Sequence, residues 1–286
     1  MHSCMNAVAP GRNIDPATVA GFGEEWNSFD QTALNQAEWQ ELFDRYFAIF
    51  PWERLPENAE GFDLGCGSGR WAAGVAGRVG QLNCIDPSAK ALAVCEKRLS
   101  GHPNSRFYQA SVDAIPLPDA SQDFGYSLGV LHHIPDTAAA MADCVRKLKP
   151  GAPFLVYLYY AFDNRPAWFR TLWRASDLAR KGISRLPFKV RKGVTSAIAA
   201  GVYWPIARGA AVMERLGRDV SNIPLAPYRH SSFYTMRTDA LDRLGTRLEQ
   251  RFTWKQIEQM MQAAGLEDIR FSEEVPFWVA VGYRKP

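Results

Sequence analysis

Alternating glycines, two carboxylates and a histidine pair are the residues of this 286-residue chain best suited to chemistry. The segment Gly61–Trp71, GFDLGCGSGRW, sets Gly65, Gly67 and Gly69 at alternate positions between an apolar strand pattern carrying Asp63 and a helical pattern. Glycine lets backbone N–H groups approach a ligand with no side chain in the way, and a helix N-terminus adds further donors. Arg70 stands where the dinucleotide fingerprint GxGxxG requires its last glycine, which disfavours the alternative of an NAD-dependent oxidoreductase. Asp86 closes the next apolar run, 17 residues after Gly69, where a carboxylate can accept both hydroxyls of a ribose. His132 and His133 follow the apolar run Phe124–Leu131, and imidazole can take up a proton near neutral pH.

These residues need elements to hold them. Apolar runs at Gly61–Leu64, Leu82–Ile85, Arg106–Gln109, Phe124–Leu131 and Phe154–Tyr160 read as five strands. Helical patterns lie between them at Trp71–Val79, at Ser88–Leu99 with Ser88 as N-cap, and after Asp136 through Leu148. Such alternation implies a parallel sheet with right-handed crossovers. Ala17–Phe50 reads as helical, with Trp26, Phe29, Leu34, Trp39, Phe43 and Phe47 on an apolar stripe. Thr253 and Gln256 form a capping-box pattern for a helix ending at Gly265, and Ile269–Phe271 and Trp278–Tyr283 read as a closing antiparallel pair. The expected fold is α/β, a Rossmann-like seven-stranded, mostly parallel sheet with helices on both faces. The expected divisions are an N-terminal helical flap (1–56), a core (57–161 and 251–286) and a helical insertion after strand five (162–250).

DLGCGSG, then CIDPS, then PLPDASQDFGYSLGVLHHIPD, then the LKPG turn, occur in the order and spacing of one family. The chain resembles the class I S-adenosylmethionine-dependent methyltransferases, more narrowly the bacterial small-molecule branch grouped as methyltransferase type 11. The resemblance spans about Gly61–Tyr160 and resumes at Thr253. It implies that Asp63, Gly65, Cys66, Gly67 and Gly69 hold the methionine end of S-adenosylmethionine. Asp86 would bind the ribose, with Pro87 and Ser88 flanking the adenine. The family places an Asp near the adenine amino group where this chain has Ser111, so either Ser111 or Asp113 takes that role, and Val112 offers a backbone N–H. Leu128 and Gly129 would present carbonyls to the cofactor ammonium. His132, His133 and Tyr159 are the candidates for catalysis, and Trp26 is expected to cover the cofactor as part of a flap. S-adenosylhomocysteine would be the product; no metal is expected.

Composition sets the remaining bounds. At 47% hydrophobic and 22% charged residues the chain is globular rather than disordered. Five cysteines without a CxxC pair predict buried reduced thiols. The start of the chain lacks the apolar core of a secretory signal and the longest apolar run is too short to span a bilayer, so a cytoplasmic protein is expected. The net charge of +3 hides an asymmetry: residues 161–250 hold 16 Lys and Arg against 7 Asp and Glu, leaving the remainder acidic. A basic insertion suits a small-molecule acceptor, anionic if this segment is a lid. Tyr160, Asn164, Tyr228, Arg229, His230, Tyr234 and Arg237 are the acceptor-binding candidates. Residues 165–192 alternate aromatics with arginines and lysines and equally fit peripheral contact with an anionic membrane. No nucleic-acid module is present. A non-catalytic cofactor-binding scaffold is the alternative from outside the enzymes.

Overall fold

The computed structural model describes residues 13–28 and 35–286. Phe29, Leu34 and Cys4 lie outside the described residues. The chain forms two compact units, one comprising Met1–Asp30, Leu42–Tyr160 and Leu248–Pro286, the other Gln31–Glu41 and Ala161–Arg247.

The first unit is built on one seven-stranded sheet. Its strands are β1 (Glu60–Leu64), β2 (Gln81–Asp86), β3 (Ser105–Gln109), β4 (Phe124–Leu128), β5 (Pro153–Tyr157), β6 (Leu266–Phe271) and β7 (Val279–Arg284). Their spatial order is β3-β2-β1-β4-β5-β7-β6. The first five strands run parallel, whereas β7 pairs antiparallel with both β5 and β6. The order reverses between β1 and β4, so their carboxyl ends open a crevice, the usual ligand position in open α/β sheets.

Alternation along the strands supplies two apolar faces. Phe62, Leu64, Ile85, Phe154 and Val156 bury one face against α5 (Thr137–Lys147) and α10 (Trp254–Ala263). The opposite face carries Tyr126 and Phe124, packed on Phe47 of α2 (Gln36–Phe47) and on Phe50. The helices begin where their caps predict. Ser88 accepts from Ala91 N–H at the start of α4 (Ala89–Arg98), Asp136 accepts from Ala139 N–H, and the Thr253–Gln256 capping box is complete.

Three expectations need revision. The helix read over Ala17–Phe50 is two helices, α1 (Pro16–Ser28) and α2. An unbroken apolar stripe hides such a division, because periodicity records the buried face and not where one helix stops. β4 stops at Leu128, since Gly129 turns left-handed at φ +79° and residues Leu131–His133 form a 3-10 turn. β5 likewise ends at Tyr157, and Tyr160 pairs only in an isolated bridge with Phe252.

The second unit is helical: α6 (Ala167–Ile183), α7 (Phe188–Ile198), a π-helical turn (Ala199–Tyr203), α8 (Trp204–Arg215) and α9 (Phe233–Gly245). Ala199, Tyr203, Ala207, Tyr228, Met236 and Ala240 form its core. The buried Arg180 guanidinium ties α6 to the end of the unit, donating to Asp177 and to the carbonyls of Thr246 and Arg247. Among the described residues, no helix is long and apolar enough to cross a membrane.

Candidate active site

The glycine loop leaves β1 with Gly65, Gly67 and Gly69 all at positive φ, a conformation that costs a residue bearing a Cβ about 1–2 kcal/mol. Asp86 holds this loop from below. One carboxylate oxygen accepts from Gly67 N–H at 3.0 Å and the other from Ser88 N–H at 2.8 Å. Each oxygen keeps a second lone pair, so the group can still accept from a ligand. Burial raises the Asp86 carboxyl to about 6, against the lowering pull of those two N–H groups. Asp63 is buried more deeply. Its Oδ2 has no hydrogen-bond partner, and burial, followed by the nearby Cys95 and Asp86, pushes its carboxyl well above the usual range against the lowering pull of the Tyr126 hydroxyl. An orphaned buried carboxyl is expensive unless something cationic completes it.

The same region gathers sulfurs that the sequence spacing gave no reason to associate. Cys66 of the loop, Cys84 of β2 and Cys95 of α4 bring their Sγ atoms within 4.8 Å of one another. All three are free and buried, as their residue type predicts.

Helix α1 lies across this part of the first unit. A Cβ on Gly23 would meet the Ser88 hydroxyl at 2.4 Å, so α1 packs directly on the cap of α4. Trp26 reaches the loop, its Nε1 lying 3.0 Å from where a Gly67 Cβ would stand. Phe22 packs on the His133 ring, with centroids 4.9 Å apart. Asn13 anchors the start of this segment: its N–H donates to Asp113, and its side-chain amide exchanges two hydrogen bonds with the Asp136 backbone. Ser111 Oγ donates to the other Asp113 oxygen at 2.6 Å, so Ser111, Asp113 and Asn13 act as one unit. The Val112 side chain enters the core. We expect Trp26→Ala to weaken binding of S-adenosylhomocysteine by about tenfold, one aromatic contact, while thermal midpoint changes little. Unchanged affinity in calorimetry would remove Trp26 from the site.

The histidine pair occupies unequal environments. His132 is fully buried and stacks on Tyr159 at 3.9 Å between centroids. Burial, with His133 and Arg251 adding to it, lowers its basicity well below the ordinary value, so it is neutral. The Tyr159 N–H approaches its Nδ1 at 3.4 Å, which places its proton on Nε2. His133 has the reverse arrangement. Its Nδ1 lies 2.7 Å from the Leu248 carbonyl, an acceptor only, so Nδ1 carries the hydrogen and a neutral ring presents a lone pair at Nε2. Arg251 completes the cluster, its guanidinium 5.0 Å over the Tyr159 ring and paired with the buried Glu249 at 2.8 Å. Arg251, Glu249, Asn13 and Tyr126 went unnoticed in the sequence. The alternating charges of RLEQR were the one available signal for the first two.

Leu128 ends β4 and Gly129 follows it, and a Cβ built on Gly129 would meet nothing within 4 Å. Tyr160 packs against Phe277 and Trp278. The other acceptor candidates belong to the second unit. Asn164 is exposed in a turn. Tyr228 is buried and donates to Asp239 at 2.8 Å, while Arg229 and His230 both engage Glu214. Tyr234 and Arg237 are half-buried on α9. The fold therefore brings Tyr228, Arg229 and His230 together around two carboxylates of their own unit.

Residues 62–156 match the family model described as a methyltransferase domain. An uncharacterized methyltransferase of Mycobacterium tuberculosis is 31% identical over 120 residues, covering 42% of this chain and 60% of the relative. A ubiquinone biosynthesis O-methyltransferase of Paracidovorax citrulli is 27% identical over 164 residues, covering 54% and 65% of the two chains. The chain thus spans about 60% of the length of the first curated relatives it matches. Among solved structures, an O-methyltransferase family protein of Burkholderia thailandensis superposes with a TM-score of 0.54 at 14% identity, over 92% of this chain and 59% of that one, a likeness of fold.

Proposed function

We propose that this chain, a member of the class I S-adenosylmethionine-dependent methyltransferases, moves a methyl group by in-line displacement to a small or lipid-linked acceptor. The observation that carries the reading is the pair of buried carboxyls, Asp63 and Asp86, around a glycine loop held at positive φ.

The residues fit that cofactor. It is cationic and carries a ribose diol; the orphaned Asp63 Oδ2 calls for positive charge, and Asp86 keeps two lone pairs for hydroxyls. The open space at Gly129 leaves room that any side chain would fill. When bound, the cofactor supplies an electrophilic methyl group on a sulfonium that is its own leaving group. The protein's part is then to orient and to exclude water, and alignment alone can contribute roughly 7–11 kcal/mol. Asp63 and the loop from Gly65 to Gly69 fix the methionine end, with Cys66 contributing backbone. Asp86 fixes the ribose, and Pro87, Ser88, Ser111, Val112 and Asp113 border the base. Trp26 covers the loop.

For a hydroxyl acceptor, His133 Nε2 takes the proton. His132 positions Tyr159 by stacking and does not itself touch the acceptor. An oxygen acceptor is in keeping with the name of the Paracidovorax relative, a ubiquinone biosynthesis O-methyltransferase. Tyr160 and the second-unit residues Asn164, Tyr228, Arg229, His230, Tyr234 and Arg237 are proposed to select it.

The test is calorimetry with S-adenosylhomocysteine, followed by methyl transfer from labelled S-adenosylmethionine to a panel of hydroxylated aromatics. One-to-one binding and labelled product are expected. A folded protein that binds neither nucleoside overturns the reading.

A further inference from the structure

Among the described residues, thirteen large hydrophobic side chains are exposed, and all but Trp254 belong to the helical second unit. Their arrangement on α6 is regular. Phe169, Trp173 and Arg180 face inward, where Phe162 packs on both aromatic rings and Arg180 binds the Thr246 and Arg247 carbonyls. Trp168, Leu172, Ala175 and Ala179, spaced by four, three and four residues, form a second stripe, about 110° round the helix from the first, and are exposed. Trp168 is 54% exposed, Leu172 52%, and Leu178 at the stripe's edge 70%. An amphipathic helix normally buries its apolar stripe; this helix buries one aromatic seam and leaves a second apolar stripe in the open.

Leu178 carries the exposed arc of α6 round from that stripe to a basic edge. Arg170 and Arg174 lie one turn apart along α6 and are exposed, and Arg185 and Lys189 follow beyond its end, also exposed. The one acidic residue of α6, Asp177, is turned toward Arg180 and Lys181 and engaged by both. Helix α8 repeats the apolar half of the design. Ala207, Ala210 and Ala211 face inward, while Ile206, Val212 and Met213 are exposed and Leu216 follows just after the helix.

We propose that the exposed face of α6 is a docking surface for an anionic lipid bilayer. Trp168, Leu172 and Leu178 enter the boundary between headgroups and acyl chains, and Arg170, Arg174, Arg185 and Lys189 meet the lipid phosphates. An interfacial helix needs an apolar stripe with Trp and Leu beside a strip of Arg and Lys, and long basic side chains can lie along apolar surface while their charges reach the headgroups. A second copy of the chain is a poorer occupant. Self-pairing of this face would set basic edges together, whereas an anionic leaflet complements them. Docked in this way the chain would meet a bilayer-dissolved acceptor; that consequence rests on the function proposed above, but lipid binding itself does not.

The test is co-sedimentation of the full chain with phosphatidylcholine vesicles and with vesicles that also contain phosphatidylglycerol. Binding to the anionic vesicles is expected, weakened but not abolished by high salt, because only part of the attraction is screened. Leu172→Glu should reduce the partition coefficient about tenfold or more, and Arg170→Glu with Arg174→Glu should erase the preference for anionic lipid. All three positions are exposed, and circular dichroism together with S-adenosylhomocysteine binding would verify that each variant is folded. No sedimentation of wild type with anionic vesicles overturns the proposal, as does binding that Leu172→Glu leaves unchanged. Self-association in solution that Leu172→Glu abolishes, without vesicle binding, would assign the face to a second copy instead.

Discussion

Replacing Asp86 with Asn is expected to lower affinity for S-adenosylmethionine and S-adenosylhomocysteine by roughly 100-fold, the loss of two hydrogen bonds to a charged acceptor at about 1.5 kcal/mol each. The wild-type affinity should itself depend on pH. Burial holds the Asp86 carboxyl at about 6 in the ligand-free protein. A protonated carboxyl loses acceptor capacity, so binding weakens as pH falls through 6 and is about tenfold poorer at pH 5 than at pH 8. Asp63, also raised by burial, adds to this dependence without changing its sign. The Asn variant should show a shallower profile.

Stability moves the other way. A carboxyl whose folded pKa is raised from 3.8 to about 6 favours folding when protonated, and that contribution is lost as pH rises through about 6. Asn is neutral throughout. The stability difference between variant and wild type should therefore shift toward the variant by about 2.5 kcal/mol between pH 4 and pH 8, whatever the fixed cost of its hydrogen bonds. Urea titrations at the two pH values read this directly. A constant difference would mean that the carboxylate is not desolvated in the ligand-free protein.

The second large effect is expected at Gly69. Its φ is +73°, and a Cβ there would stand 2.8 Å from Cys95 Sγ and 3.2 Å from Cys95 Cα. Cys95 is fully buried in α4 and its backbone cannot withdraw cheaply. Gly69→Ala combines left-handed strain of about 1–2 kcal/mol with overpacking of about 1–3 kcal/mol. That corresponds to a fall in thermal midpoint of roughly 5–15 °C, with cofactor binding lost in parallel as the loop shifts. Gly129 provides the contrast. Its φ is +79°, yet a Cβ there meets nothing. Gly129→Ala should cost only the strain while filling space that the ligand needs, giving a small change in midpoint and a large fall in affinity. Equal midpoints for the two variants would show that the Gly69–Cys95 approach is not tight.

Much of the sheet was legible because its signals are local. The strands β1, β2 and β5 are short apolar runs bounded by turns, and the caps at Ser88, Asp136 and Thr253 each use a side chain within three residues of its partner. The glycine loop and Asp86 were readable for a similar reason, since a cofactor cradle at a strand end demands particular residue types at fixed spacing. The division between α1 and α2, the left-handed stop after β4 and the short reach of β5 were not legible. Apolar patterning reports burial and says little about where a hydrogen-bond ladder ends.

What the sequence determined by itself was therefore the chemistry available at the sheet's edge: glycines, two carboxylates and a histidine pair on an α/β frame. Tertiary structure alone decided their states. It made His132 neutral and gave His133 the opposite tautomer, because their partners, Tyr159 N–H and the Leu248 carbonyl, lie 27 and 115 residues away. It joined Asn13 to Asp113 across 100 residues and drew three sulfurs from separate elements together. On α6 it chose which of two apolar stripes to bury. The sequence displays both, and only the packing of Phe162 on Phe169 and Trp173 shows that Trp168 and Leu172 are left outside. Burial and long-range pairing set protonation and exposure, and neither is a property of residues read in order.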